Sequence, residues 1–270
     1  MKRLFALVLV AGLITPTRLF AQASAIPSAA PVAPAGMSPE QLGKRLLDQM
    51  IEAFGGDAWL NRKDMQVEGR SAAFFQGAPN GIVVEYTGWR RFSDDAERLA
   101  YGKKRDVVQV WANGNGYEVT YKGRTELPKD QVEEYYRRQR HSLEAVVRDW
   151  VKAPGVMIVA EGQSTVDRHI ADKFTVLSAD NDAVTIELDA TTHLPLRRTY
   201  RWRNETFKDY DEEAEIYGDY HNVQGIPTPY NSTRYRNGEM VSQRFLTSII
   251  YSQGLSGDLF NPDNLLKKKK

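Results

Sequence analysis

The chain contains no cysteine. That excludes disulfides, thiolate metal sites, a cysteine nucleophile and a lipid-modified cysteine. Histidine is scarce: His141, His169, His193 and His221 are the full set, and none lies two to four residues from another. The spacings of histidine metal motifs are therefore absent. His193 falls in the turn "ATTHLP" and His221 just before "VQGIPTP", so both read as loop histidines rather than ligands or bases. Neither sign of charge is in excess, with 36 Lys and Arg against 35 Asp and Glu. No global field draws the chain to nucleic acid. There is no G-x-S-x-G elbow, Walker sequence or Rossmann fingerprint. "GNG" at 114–116 is a hairpin turn, because no helix follows it. The acidic run Asp209 to Glu215 lacks the glycine-punctuated spacing of an EF-hand. No catalytic residue, cofactor or metal is expected.

Long apolar runs are missing too. The longest near the N-terminus, Leu4 to Ile14, has eleven residues, and a bilayer span needs about 20. Preceded by Lys2 and Arg3 and followed by Ala21-Gln22-Ala23, it reads as a cleaved signal peptide over 1–23. Cleavage would remove three basic residues and no acid, leaving 33 against 35. Residues 24–36, "SAIPSAAPVAPAG", read as a disordered Ala/Pro/Ser linker. One folded domain is expected over 37–266, then a basic tail at 267–270. Export with no second apolar segment predicts a periplasmic location, with secretion as the lesser alternative.

What is present begins with a helix over 39–54. Ser38 is placed to cap it, Pro39 suits its first position, and Gln41 completes a capping box. Leu42, Leu46, Leu47, Met50, Ile51 and Phe54 recur at helical spacing before Gly55-Gly56 stops it. Short β-branched and aromatic segments follow from Met65 to Lys122, with a hairpin signal at Asn113-Gly114-Asn115-Gly116. Tyr117, Val119 and Tyr121 share one strand face, which predicts a sheet covered on one side and wet on the other. A second helix follows Pro128, with Val132, Tyr136, Leu143, Val146, Val147 and Trp150 as its apolar stripe. Arg137, Arg138, Arg140, His141 and Arg148 form its solvated side. Strands return over 156–161, 169–178, 183–189, 194–203, 207–220, 230–236 and 239–251. Two small α+β domains would fit this order, but one long antiparallel sheet with helices on one face fits better, since no long linker separates the blocks.

"LRRTYRWRN", residues 196–204, interleaves arginines with aromatics. Read as a strand, it places Leu196, Arg198, Tyr200 and Trp202 on one face. A hairpin turning near Asn204–Thr206 would pair it with the acidic segment that follows, partners summing to about 410. That register sets Arg198 against Glu212 on the covered face, and Arg201 against Asp209 on the wet one. Carboxylates then serve these arginines within the protein, which argues against a nucleic-acid groove. The many aromatics of the covered face suit either a filled core or a site for an apolar ligand.

Four stretches, "VWANGNGYEVTYKG", "IELDATTHLPLRRTYR", "EIYGDYHNVQGIPTPYNSTRYRNGE" and "SIIYSQGLSGDLFNPD", together resemble the periplasmic outer-membrane lipoprotein carrier, or LolA-like, superfamily, in particular its branch of exported outer-membrane lipoprotein-sorting proteins. The "LD-x-T-x-x-LP" hairpin and the "DY-x-x-x-x-GI-x-x-P" corner carry most of the likeness, which spans roughly residues 40 to 263. The resemblance implies an α+β fold: a single strongly curved antiparallel sheet, an incomplete β-barrel, covered on its concave face by two or more helices. It implies an apolar cavity between them, for which the apolar faces read above offer Trp89, Trp111, Tyr117, Val119, Tyr121, Tyr136, Leu143, Trp150, Leu196, Tyr200, Trp202 and Phe245 as lining. It also implies a non-catalytic carrier whose cargo is lipoprotein acyl chains or another apolar ligand. An envelope signalling protein that binds a partner protein on the same fold is the alternative. Nucleic acid and stable membrane insertion are not expected. Where the best-known carriers have an Arg-Pro pair that holds the helical lid closed, this chain has Gly88-Trp89.

Overall fold

The computed structural model describes residues 36–265. The expected signal peptide, almost all of the linker and the basic tail lie outside the described residues. Helix α1 (Pro39–Ala53) starts as its cap predicts: Ser38 Oγ accepts from the Gln41 N–H at 3.2 Å, and Gln41 Oε1 accepts from the Ser38 N–H at 2.9 Å. Gly55, at φ +101°, ends it, and a Cβ there would meet the Gly225 carbonyl oxygen at 2.4 Å. A one-turn helix α2 (Asp57–Leu60) follows. Then come β1 (Asp64–Phe75), β2 (Ala78–Pro79), β3 (Val84–Arg91), β4 (Ala96–Tyr101), β5 (Val107–Ala112), β6 (Asn115–Thr120) and β7 (Gly123–Glu126). Asn113 and Gly114 turn β5 into β6 with φ of +52° and +77°, the conformation an Asn-Gly hairpin supplies.

The expected second helix is two. Helix α3 (Lys129–Arg140) stops at His141, and Ser142 caps a new start, α4 (Leu143–Arg148), accepting from the Ala145 N–H at 3.2 Å. The break turns His141 inward to 3% exposure instead of onto a solvated face. It also buries Tyr135 more deeply than the expected Tyr136. Strands β8 (Met157–Val166), β9 (His169–Leu177), β10 (Ala183–Asp189), β11 (Pro195–Arg203), β12 (Tyr210–Val223), β13 (Ile226–Arg236) and β14 (Glu239–Tyr251) complete the sheet, and α5 (Pro262–Leu265) follows.

All fourteen strands join one sheet, ordered β7-β6-β5-β4-β3-β1-β14-β13-β12-β11-β10-β9-β8, with β2 on the end of β1. Every pairing is antiparallel. Strands β7 and β8 do not pair with each other, so the sheet stays open. Its two meanders meet through the first and last long strands, with Met65 opposite Tyr251 and Val67 opposite Ile249. Asp64 locks this seam. Its buried carboxylate accepts from the N–H groups of Gln253, Gly254 and Leu255 at 2.8, 3.0 and 3.0 Å.

The main core gathers Leu46, Met50, Trp111, Tyr135, Val146, Phe174, Ile186 and Tyr200, so α1, α3 and α4 all pack on the same sheet face. Helix α1 lies so close to β8 that a Cβ on Gly43 would meet the Ile158 carbonyl oxygen at 2.7 Å. The opposite face is not uniformly wet. Ala100, Val108, Val110 and Val119 form a second small core, packed by Trp89 and Leu265. The chain beyond β14 folds back over this face, which the strand pattern alone does not show.

Candidate functional site

The hairpin of β11 and β12 corrects the predicted charge pair. Arg198 lies opposite Glu215, three residues beyond Glu212, and Glu212 lies opposite Arg201. An odd shift exchanges the faces of the acidic segment, so Arg198 and Glu212 stand on opposite sides of the sheet. The cause is the loop. Asn204 Oδ1 accepts from the Thr206 and Phe207 N–H groups, and the Asn204 N–H reaches Asp209 O at 2.7 Å, so four residues turn the chain. On the outer face Arg201 is 3.6 Å from Glu212, and Arg197 pairs with Glu187 of β10 rather than across this hairpin.

Arg198 does carry an inner-face charge. It is 1% exposed, and such a group needs partners on all sides. Nη2 lies 3.0 Å from Glu215 and 3.6 Å from Glu213, while Nη1 donates to the His141 carbonyl at 2.7 Å. Burial opposes its charge, but Tyr217, Glu215 and Glu213 outweigh it and push the guanidinium above its ordinary value. Burial pushes the Glu213 carboxyl up, against the pull of Arg138 and Arg198. His141 stacks on Tyr200 at 4.2 Å, and its ring nitrogens meet Arg137 O and Asp182.

Beside this cluster a cavity of about 470 Å³ runs between the sheet and α3–α4. Phe54, Trp59, Met65, Leu99, Trp111 and Leu143 supply apolar wall. The wall is mixed rather than apolar throughout. Arg62, Arg90, Arg138, Arg198, Arg234 and Arg244 also line it, against Glu97, Glu144 and Glu215. Three of the six arginines are paired: Arg62 with Glu144 at 2.8 Å, Arg90 with Asp95 at 3.2 Å, and Arg198 as above. Burial would raise the Glu144 carboxyl, but Arg62 and Arg90 hold it below the usual carboxylate range. Glu97 accepts from Tyr135 Oη at 2.6 Å, and Tyr135 stacks on Trp111 at 4.5 Å. Asp95 also takes Arg148 of α4 at 2.8 Å, so a carboxylate joins β3 to that helix.

Of the twelve expected lining residues, Trp111 and Leu143 stand in the cavity wall. Tyr200 belongs to the main core, with Tyr136, Trp150 and Trp202 packed against it. Val119 and Trp89 serve the second core on the other face, and Tyr117, opposite Val110, shares that face. Tyr121 is 80% exposed just past β6, and Phe245 is 39% exposed. Leu196 is half-buried, at a bulge that interrupts the β10–β11 register. Tyr117 and Val119 of β6 therefore face the second core rather than the cavity, because nothing local says which side of a strand the helices cover. Among the described residues no group of three or more His, Asp or Glu side chains is placed to hold a metal ion. None of the four histidine rings hydrogen-bonds a hydroxyl there. No described helix is long and apolar enough to cross a membrane.

No protein-family model and no curated protein sequence matches the chain. Solved structures do. A DUF1329 family protein from Desulfovibrio piger superposes with TM-score 0.59 at 12% identity, over 85% of this chain and 100% of that one. A domain assigned as an outer membrane lipoprotein-sorting protein, from Vibrio parahaemolyticus, superposes with TM-score 0.57 at 9% identity, over 84% of this chain and 100% of that one. A large open antiparallel sheet with a few helices packed on it defines the class. Within it, this chain has the LolA-like fold.

Proposed function

We propose that the chain is a non-catalytic binding or carrier protein of the periplasm that holds lipid-like cargo between its sheet and helices. The observation that carries this reading is the cavity of about 470 Å³, whose apolar wall includes Trp111, Leu99 and Leu143. Alkyl surface moved from water onto such a wall gains about 25 cal/mol per Å². The sheet is the incomplete barrel, its face toward α3 and α4 is the concave one, and the helices are its cover. The lipoprotein-sorting name of the Vibrio domain agrees with cargo of this kind. Residues 1–23 deliver the chain across the inner membrane, and 37–266 form the binding domain. The arginines and glutamates around the cavity orient cargo and hold the helices, with no bond made or broken.

The test is native mass spectrometry of the protein purified from a membrane-containing lysate. A co-purifying lipid or lipopeptide mass is the expected result. A clean apo mass, together with no uptake of a fluorescent fatty acid, would remove the proposal.

A further inference from the structure

Three cavity arginines lack what the other three have. Among the described residues, Arg138, Arg234 and Arg244 have no carboxylate within 4.0 Å. For Arg234 this is the outcome of a competition. It lies in register opposite Glu215. Glu215 Oε2, however, is taken by Arg198 at 3.0 Å and by Tyr217 Oη at 3.1 Å. Arg234 Nε is left buried with no acceptor. Arg244, one strand over, lies over the Tyr86 ring, 5.8 Å from its guanidinium carbon, and Tyr86, Tyr101, Glu97 and Glu215 favour its charge without any carboxylate in ion-pair contact. Arg244 is open to solvent and Arg234 is half-buried, so an anion can reach both, and the planar fork of a guanidinium fits a carboxylate or phosphate.

The neighbours of this pair are hydroxyls. Arg234 faces Ser242 and Arg244 faces Ser232 across the β13–β14 ladder, and Ser71 faces Arg244 from β1. All five side chains line the cavity that also contains Tyr101, Leu99 and Trp111. We propose that Arg234 and Arg244, with Ser71, Ser232 and Ser242, seat the anionic head of a single-chain amphiphile whose hydrocarbon lies along the apolar wall. This rests on the lipid-binding reading and specifies which lipids: those ending in a carboxylate or phosphate. Charge-assisted hydrogen bonds from paired guanidiniums supply the preference.

The experiment measures binding of dodecyl phosphate and dodecanol to the full chain by calorimetry, with inorganic phosphate as a third probe. Dodecyl phosphate should bind roughly tenfold or more tighter than dodecanol. The double variant Arg234→Gln/Arg244→Gln should lose that preference while still binding dodecanol, and Arg234→Lys/Arg244→Lys should keep much of it. Circular dichroism shows that each variant is folded. Inorganic phosphate that fails to compete identifies the amphiphile as the ligand. Phosphate that competes at similar concentration would overturn the amphiphile and leave a site for a free oxyanion. Equal binding of the two dodecyl compounds would overturn the anionic seat and leave lipid binding standing. Binding of neither would remove both.

Discussion

Arg198 donates to the carbonyl oxygen of His141 at 2.7 Å, tying the middle of β11 to the C-terminal end of α3. The cation meets the negative end of that helix while Glu215 and Glu213 balance it from β12. Removing it strands both carboxylates. Arg198→Ala should cost about 3–5 kcal/mol, read as a lowered urea midpoint with unchanged slope. Arg198→Lys should recover only part, since one ammonium cannot span the carbonyl and the carboxylate together. A loss under ~0.5 kcal/mol for the alanine variant would show the pair to be incidental.

Glu213 makes a prediction about pH. Its carboxyl is pushed up by burial. The folded state therefore holds this proton more tightly than the unfolded one. The resulting stability is full below the ordinary glutamate range, near ~4.3, and is lost as pH rises through the higher folded value. Glu213→Gln should match the wild type in acid and exceed it at neutral pH, by on the order of 1 kcal/mol. Parallel pH–stability curves for the two proteins would contradict this.

Asp95 runs in the other direction. Burial opposes its charge, yet the hydrogen bond from Arg148 and the charge of Arg90 hold its carboxyl below the usual range. Its contribution is present above the ordinary aspartate range and disappears as pH falls through the lowered folded value. Asp95→Asn should cost about 1–2 kcal/mol at neutral pH and much less in strong acid. Because Arg148 sits on α4, amide exchange there should quicken before exchange in β10.

Asp64 serves three backbone N–H groups past the end of β14. Asp64→Ala leaves them short of an acceptor at a buried seam. The expected loss is about 2–4 kcal/mol, with the segment 252–260 becoming sensitive to protease. Resistance equal to the wild type would mean water replaces the carboxylate.

Gly43 separates two effects of opposite sign. In an exposed helix Gly→Ala gains about 1 kcal/mol. Here the added Cβ would meet the backbone of β8 at 2.7 Å. Gly43→Ala should therefore destabilise, and a raised melting temperature would show that α1 can lift from the strand without penalty.

Local chemistry made much of this fold legible. Ser38, Pro39 and Gln41 start α1, and Asn113-Gly114 turns β5 into β6, because each depends on neighbours within a few residues. Register was not legible in the same way. Whether Arg198 meets Glu212 or Glu215 depends on a four-residue loop held by the Asn204 side chain, and one odd slip exchanges every face. Arg234 and Arg244 left no signal at all. Polar residues occupy both parities of β13 and β14, Ser232, Arg234, Ser242 and Arg244 on one and Asn231, Thr233, Gln243 and Thr247 on the other, so alternation does not tell the inner side. Their place became visible only once β1 was seen beside β14.

That seam has a kinetic meaning. The strand that begins the sheet waits for the strand that ends it, Met65 for Tyr251, so the centre of the sheet cannot form until nearly the whole chain exists. Contacts so distant in sequence make closure slow. A chain leaving the ribosome or a membrane channel would stay without its central sheet until its last long strand arrived. Deleting β14 should leave two meanders with nothing to join them, rather than a smaller working version of the protein.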